Sequence, residues 1–236
     1  MAAALKFQSI PALSKHTATV VFSHGLGDTC MGWSFLAQEL GKALPHVKWV
    51  FPQAPTQPVT LNMGMPMPSW YDIKTLDTSD IWSNSFEDRV ADEPGILRSM
   101  KGISDLISNE LDETPSVPSD RLVIGGFSQG AVMALCTGLT TERSLAGIAC
   151  LSGYVPLPSK LPNMATEKSR KLPVFWGHGT VVKYAWGEES VSLLKGKMRM
   201  PNVEFNSYQG LPHSAAPEEL EDLKQWLLKV VPPQEA

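Results

Sequence analysis

The chain has 236 residues, 43% hydrophobic and 19% charged, with a formal net charge of -4. That length predicts a single domain over residues 1–236 with its core from about 17 to 231. No basic stripe invites nucleic acid, the apolar runs are too short to span a membrane, and MAAALKFQSIPAL lacks a secretory pattern.

In chain order, Phe7 to Ile10 reads as an antiparallel edge strand and Thr17 to Ser23 as a β-rich run ending at His24-Gly25. Gly32 to Leu44 has helical spacing, with Phe35, Leu36, Leu40 and Ala43 on one face. Val47 to Phe51 reads as a strand stopped by Pro52. Pro55 to Trp70, rich in proline and methionine, is expected to be irregular. Pro94 to Leu111 opens with proline and reads as a long helix. RLVIGGF, from Arg121, is a strand, and QGAVMALCTGL, from Gln129, a helix. Strands follow at Leu145 to Gly153, Leu172 to Gly179 and Asn202 to Tyr208. Helices are expected over Ala185 to Met198 and Pro217 to Val230. This alternation predicts an α/β fold, a mostly parallel central sheet with helices on both faces.

The chemistry gathers at Gly126-Phe127-Ser128-Gln129-Gly130, where a strand meets a helix. Glycines there permit a sharp turn that lifts the serine above the sheet, with helix N–H groups aimed at the same spot. Ser128 is the candidate nucleophile and the Gln129 N–H a candidate oxyanion donor; the alternative is a plain tight turn with a capping serine. Five histidines could supply the base. His16 and His46 sit in polar connections and are expected to be solvated. His24, in SHGLGD, precedes the nucleophile and suits an oxyanion loop with the Leu26 N–H as donor. His178 ends a strand and reads as structural. His213, between the last strand and the last helix, stands where an α/β-hydrolase carries its base. Packing beside Pro212 is the competing reading. Cys30, Cys136 and Cys150 fit neither a zinc site nor a disulfide framework. Their sparse use predicts a reducing, cytoplasmic location, the nucleus included.

GLGDTCMGW, FPQAPTQPVTLNMGMPMPSWYDI, GGFSQGAVMAL, LSGYVP and GLPHS, taken in order, resemble the acyl-protein thioesterase and lysophospholipase family of α/β-hydrolases. The resemblance runs from about Thr17 to Val231. It implies an α/β-hydrolase fold and hydrolysis of S-palmitoyl or related long-chain acyl thioesters on proteins, with lysophospholipids and carboxyl esters as side substrates. It carries the nucleophile onto Ser128, the base onto His213 and the oxyanion donors onto Leu26 and Gln129. It implies S-acylated proteins as partners, G-protein alpha subunits and Ras-like GTPases among them, with transient membrane contact. Serine chemistry of this kind needs no metal and no cofactor.

Two departures stand out. Cys30 replaces the last glycine of the family's GLGDTG. The family's acid lies just past the strand ending in His-Gly, in a pattern like HGxxDxxV. Here the chain reads His178-Gly179-Thr180-Val181-Val182-Lys183-Tyr184, shorter than that pattern, with no aspartate between His178 and His213. The triad acid is therefore unassigned. Glu188 and Glu189 read as helix-dipole partners, Glu204 as lying at the wrong end of its strand, Asp28 as ordering its own loop, and Asp72 as out of chain order. An incomplete triad predicts turnover lowered by about 10⁴. It also leaves open a non-catalytic acyl-binding protein, or a sequence altered by splicing or gene assembly.

The Met63-to-Pro68 run offers adaptable apolar surface for a long acyl chain. Leu61, Met65 and Trp70 are its candidate acyl-binding residues, and Leu157 and Leu161 weaker ones. The alternative is an irregular loop whose methionines fill the core. A short-chain esterase or a peptidase is the remaining hydrolase reading, which a chain-length series separates.

Overall fold

The computed structural model describes residues 4–74, 91–114, 117–181 and 184–234. Val182 and Lys183, in the shortened stretch after His178, lie outside the described residues.

A seven-stranded sheet forms the centre, ordered β1-β3-β2-β6-β7-β8-β9. Its strands are β1 (Phe7–Ile10), β2 (Ala18–Ser23), β3 (Val47–Pro52), β6 (Leu122–Phe127), β7 (Gly147–Leu151), β8 (Val174–Gly179) and β9 (Val203–Tyr208). β1 runs antiparallel to β3 at one edge, with Phe7 opposite Pro52, and every other pair is parallel. β2, β6, β7 and β8 are buried along their whole length. That is why they read as continuous apolar runs rather than alternating ones.

Helices α1 (Phe35–Leu40), α2 (Glu93–Glu113), α3 (Gln129–Thr140), α4 (Leu161–Met164), α5 (Tyr184–Lys195) and α6 (Pro217–Val230) surround it. The sheet separates two cores. Val21, Ile124, Cys150 and Trp176 pack with α2, α3 and α5 on one face. Phe22, Val123, Leu151 and Phe175 pack with α1 and α6 on the other. α2 buries Ile96, Met100, Ile103 and Ile107, a helical stripe. Its N-terminus is capped by Asp92, which accepts the Gly95 N–H at 3.0 Å. Among the described residues no helix is long and apolar enough to cross a membrane.

Three local expectations change. Pro55 to Trp70 is not wholly irregular: β4 (Thr56–Pro58) and β5 (Pro66–Pro68) pair as a small hairpin. Its prolines are tolerated because neither strand has a second neighbour. The helix expected over Gly32 to Leu44 is regular only at Phe35–Leu40. His46 is not solvated but buried, with Nε2 2.8 Å from the Val231 carbonyl. Val231, the residue that ends α6, covers it, a contact 185 residues apart in sequence.

Candidate active site

Parallel strands deliver the loops that follow them to one edge of the sheet, where open α/β folds build their sites. β6 ends at Phe127 and α3 begins at Gln129, leaving Ser128 alone in the turn with φ 53° and ψ -117°. That conformation is strained for a residue with a side chain. The flanking glycines are required by close approach. A Cβ on Gly126 would collide with the backbone of Gly130, and one on Gly130 with the Ser23 carbonyl. α3 therefore starts hard against the end of β2. The Gln129 N–H, in the first turn, has no acceptor within its helix.

The loop after β2 lies beside the serine. A Cβ on Gly25 would stand 3.5 Å from Ser128 Cβ, and Leu26 is the next residue. His24 shapes this loop from below. Its Nε2 accepts the Ala54 N–H at 3.1 Å, so the proton sits on Nδ1, which donates to the Gly25 carbonyl at 2.7 Å. Burial holds the His24 pKa below its ordinary value, opposed in part by the Gly25 carbonyl and Asp28. The ring is thus neutral at pH 7, as two-sided hydrogen bonding requires. The Trp70 indole N–H donates to the His24 carbonyl at 2.8 Å, and the Gly27 N–H to the Pro68 carbonyl at 2.8 Å. Cys30 is half-buried, and its N–H donates to Gln53 Oε1 at 2.9 Å.

His213 arrives from the loop between β9 and α6. Its Nε2 is 2.8 Å from Ser128 Oγ, and its ring packs on Phe127 with centroids 4.8 Å apart. The loop is tied at its base, where the Gly210 N–H donates to Thr180 Oγ1 at 2.8 Å. A hydroxyl at this distance from an unprotonated imidazole nitrogen can pass its proton as it attacks. The structure therefore brings together Ser128, His213, the Leu26 loop and the first turn of Gln129. His178 is buried on the opposite face of β8, against Gly187 and Tyr184 of α5.

The acids weighed from sequence lie elsewhere. Glu188 and Glu189 are exposed on α5. Glu204 pairs with Phe175, four residues before the end of β8, about 13 Å from the edge of the sheet where Ser128 lies. Asp28 accepts the Thr29 N–H at 2.7 Å and crowds Gly32. Asp72 holds both the N–H and the hydroxyl of Thr60, at 2.7 and 2.6 Å.

Among the acyl candidates, Leu61 and Met65 are exposed on the β4–β5 flap, with Met63 between them. Trp70 is wholly buried and braces the His24 loop from beneath. Leu157 and Leu161 are buried in the core. Met67, within the Met63-to-Pro68 run, has its sulfur 3.8 Å from where a Gly27 Cβ would be. Sequence reasoning missed the Gln129 side chain. Its Oε1 accepts the Trp70 N–H at 2.8 Å, and its Nε2 donates to the Tyr71 carbonyl at 2.7 Å. One residue thus anchors both the nucleophile turn and the base of the flap. A buried amide directly after the serine was the available signal.

A profile of the phospholipase/carboxylesterase family matches residues 7–231. Acyl-protein thioesterase 1 of Cryptococcus neoformans var. neoformans serotype D is 45% identical, covering 98% of this chain and 100% of that protein. Acyl-protein thioesterase 1 of Mycosarcoma maydis is 46% identical over 93% and 94% of the two chains. Among solved structures, acyl-protein thioesterase 2 of Zea mays superposes with a TM-score of 0.81 at 30% identity, covering 96% of this chain and 99% of that one. Arabidopsis thaliana SOBER1 superposes with a TM-score of 0.80 at 29% identity, over 91% and 99%.

Proposed function

Because the chain belongs to the phospholipase/carboxylesterase family of α/β-hydrolases, we propose that it is an acyl-protein thioesterase, a serine hydrolase that removes long-chain S-acyl groups from protein cysteines. The observation that carries this reading is the 2.8 Å contact between His213 Nε2 and Ser128 Oγ at a strained strand-to-helix turn. Ser128 Oγ attacks the thioester carbonyl as His213 takes its proton. The oxyanion forms against the N–H groups of Leu26 and Gln129. Collapse expels the cysteine thiolate, which His213 protonates, and leaves an acyl-serine. Water, deprotonated by His213, then releases the fatty acid and restores the serine.

The flap supports a long acyl chain as substrate. Leu61, Met63 and Met65 are exposed apolar side chains on the flap, whose Pro68 carbonyl accepts the Gly27 N–H of the oxyanion loop, and methionine adapts to flexible ligands. The same surface suits transient contact with a membrane, where S-acylated proteins reside. G-protein alpha subunits and Ras-like GTPases are the proposed substrates, met in the cytoplasm or nucleus. The sequence lacks the aspartate expected after His178, so turnover is proposed to be lowered by about 10⁴ relative to a complete triad. In the extreme this gives an acyl-binding protein that holds palmitoyl groups without releasing them.

The test is a chain-length series of acyl thioesters, from acetyl to palmitoyl, with Ser128→Ala as background. Palmitoyl turnover above that background, with kcat/KM rising with chain length, is expected. Preference for acetyl would make the protein a short-chain esterase. Palmitoyl binding without any Ser128-dependent turnover would make it the non-catalytic binder.

A further inference from the structure

Glu219 belongs to no part of the site described so far. It is the third residue of α6, yet its side chain is 0% exposed. From that position a carboxylate can reach back to the helix's first N–H, here that of Ala216, and that N–H does pull its pKa down in part. No hydrogen bond from a described residue, however, reaches either carboxylate oxygen within good geometry. A carboxylate buried in this way is costly and calls for a reason.

Its place in the sheet supplies one. A Cβ on Gly177 would collide with Glu219 Oε1, so the carboxylate lies directly over Gly177 of β8. Gly177 pairs with Leu151 of β7, and Leu151 pairs with Phe127 of β6. Residues in one such row of a parallel sheet point to the same face. His213 lies over Phe127 on that face. The Glu219 carboxylate and the His213 ring therefore stand over one row, two strands apart, which is about 10 Å. The backbone of Leu211 and Pro212, leading into His213, covers Gly179, the next position on that face of β8.

We propose that Glu219 is a positioning residue for His213, its buried negative charge stabilising the imidazolium that forms when Ser128 gives up its proton. The proposal rests on the reading of Ser128 and His213 as nucleophile and base. It gives this chain a carboxylate on the histidine's side of the sheet although the expected aspartate is missing. Burial holds the Glu219 carboxyl up to about 7, with Asp222 one turn on pushing the same way. The other titratable group facing it is Tyr208, whose hydroxyl donates to Asp222 at 2.9 Å, while the buried Cys150 thiol feels its charge from the other face of the sheet; Glu218 adjoins it in sequence. Its charge is therefore carried above about pH 7, where a histidine base is neutral and ready to take a proton. A unit charge at about 10 Å, through an effective dielectric of about 20, moves a titration midpoint by about one unit, or tenfold.

The experiment follows the His213 imidazole by ¹⁵N NMR against pH in the full chain and in Glu219→Gln. The expected result is a His213 midpoint lower by about one unit in the variant, with kcat about tenfold lower and KM unchanged. An identical His213 midpoint would overturn the proposal and leave Glu219 a helix cap. If Glu219→Gln does not fold, the unsubstituted chain decides: its His213 curve must show a second inflection near the Glu219 titration, and a single inflection overturns the proposal. The NMR readout needs no turnover. Absence of thioester hydrolysis would thus count against the proposed function, and an unmoved midpoint against the role of Glu219.

Discussion

The Val181 N–H donates to the Leu211 carbonyl at 3.2 Å. The segment after β8 is thereby fastened to the loop that carries His213. The Thr180 N–H adds a bond to the Tyr208 carbonyl at 3.1 Å, so the pairing of β8 with β9 continues into the space where an acid-bearing loop would stand. Inserting Ala-Asp-Pro between Thr180 and Val181 would restore the family pattern and break the Val181 bond, at a cost of about 1 kcal/mol. The expected outcome is a kcat for palmitoyl thioester raised by about 10³ to 10⁴. Rates agreeing within about tenfold would mean that another acid already serves.

The Gln129 side chain links the nucleophile turn to the flap, bridging the Trp70 N–H and the Tyr71 carbonyl. Gln129→Leu keeps the backbone N–H and removes the bridge. The Trp70 N–H is then buried without its partner, while the Tyr71 carbonyl keeps the Ser69 hydroxyl, a loss of about 1 to 3 kcal/mol. Urea denaturation should read that loss. In the chain-length series, KM for palmitoyl thioester should rise more than KM for acetyl, because the flap loses its anchor. Equal rises would show that the flap is held by other contacts, such as the Ser99 hydroxyl on the Trp70 carbonyl.

The residues that meet at the candidate site were legible where chemistry fixes both residue type and chain order. Ser128 stood between glycines at a strand-to-helix junction, and His213 was the histidine placed after the last strand. The parallel strands were legible because burial on both faces leaves unbroken apolar runs. What sequence hid depends on contacts between distant segments. His46 looks solvated until the Val231 carbonyl closes over it. Glu219 looks like an ordinary acidic residue in a first helical turn, and only the lack of a side chain at Gly177 lets it press against the sheet. The amphipathic period of α6 does place position 219 with Leu223, Trp226 and Leu227 on the buried face, which was the signal available.

His24 should make the protein lose stability in acid. Its pKa is depressed in the fold by burial, so the unfolded chain binds the proton more readily. The stabilisation is present above about pH 6.5 and is lost as pH falls through the depressed folded value. Protonating Nε2 would also set two donors against each other, because the Ala54 N–H already points there. Urea midpoints at pH 7.5 and 5 should fall further for the unsubstituted chain than for His24→Gln. Parallel falls would place the acid sensitivity elsewhere.

Glu219 should act in the opposite direction. Its folded pKa is raised from 4.5 to about 7, so the folded chain holds the proton more tightly than the unfolded one. Its contribution is fully present below about pH 4.5 and is lost as pH rises through about 7. The difference amounts to about 3 kcal/mol across that window. Glu219→Gln keeps the shape without the charge and should remove this dependence. Compared at pH 8 with the unsubstituted chain, the variant should resist urea better, while its kcat falls. A variant less stable at pH 8 would mean that the ionised carboxylate holds the first turn of α6 through the Ala216 N–H. Greater stability together with lower turnover is the signature of a charge kept buried at the expense of the fold because the histidine above the same sheet row uses it.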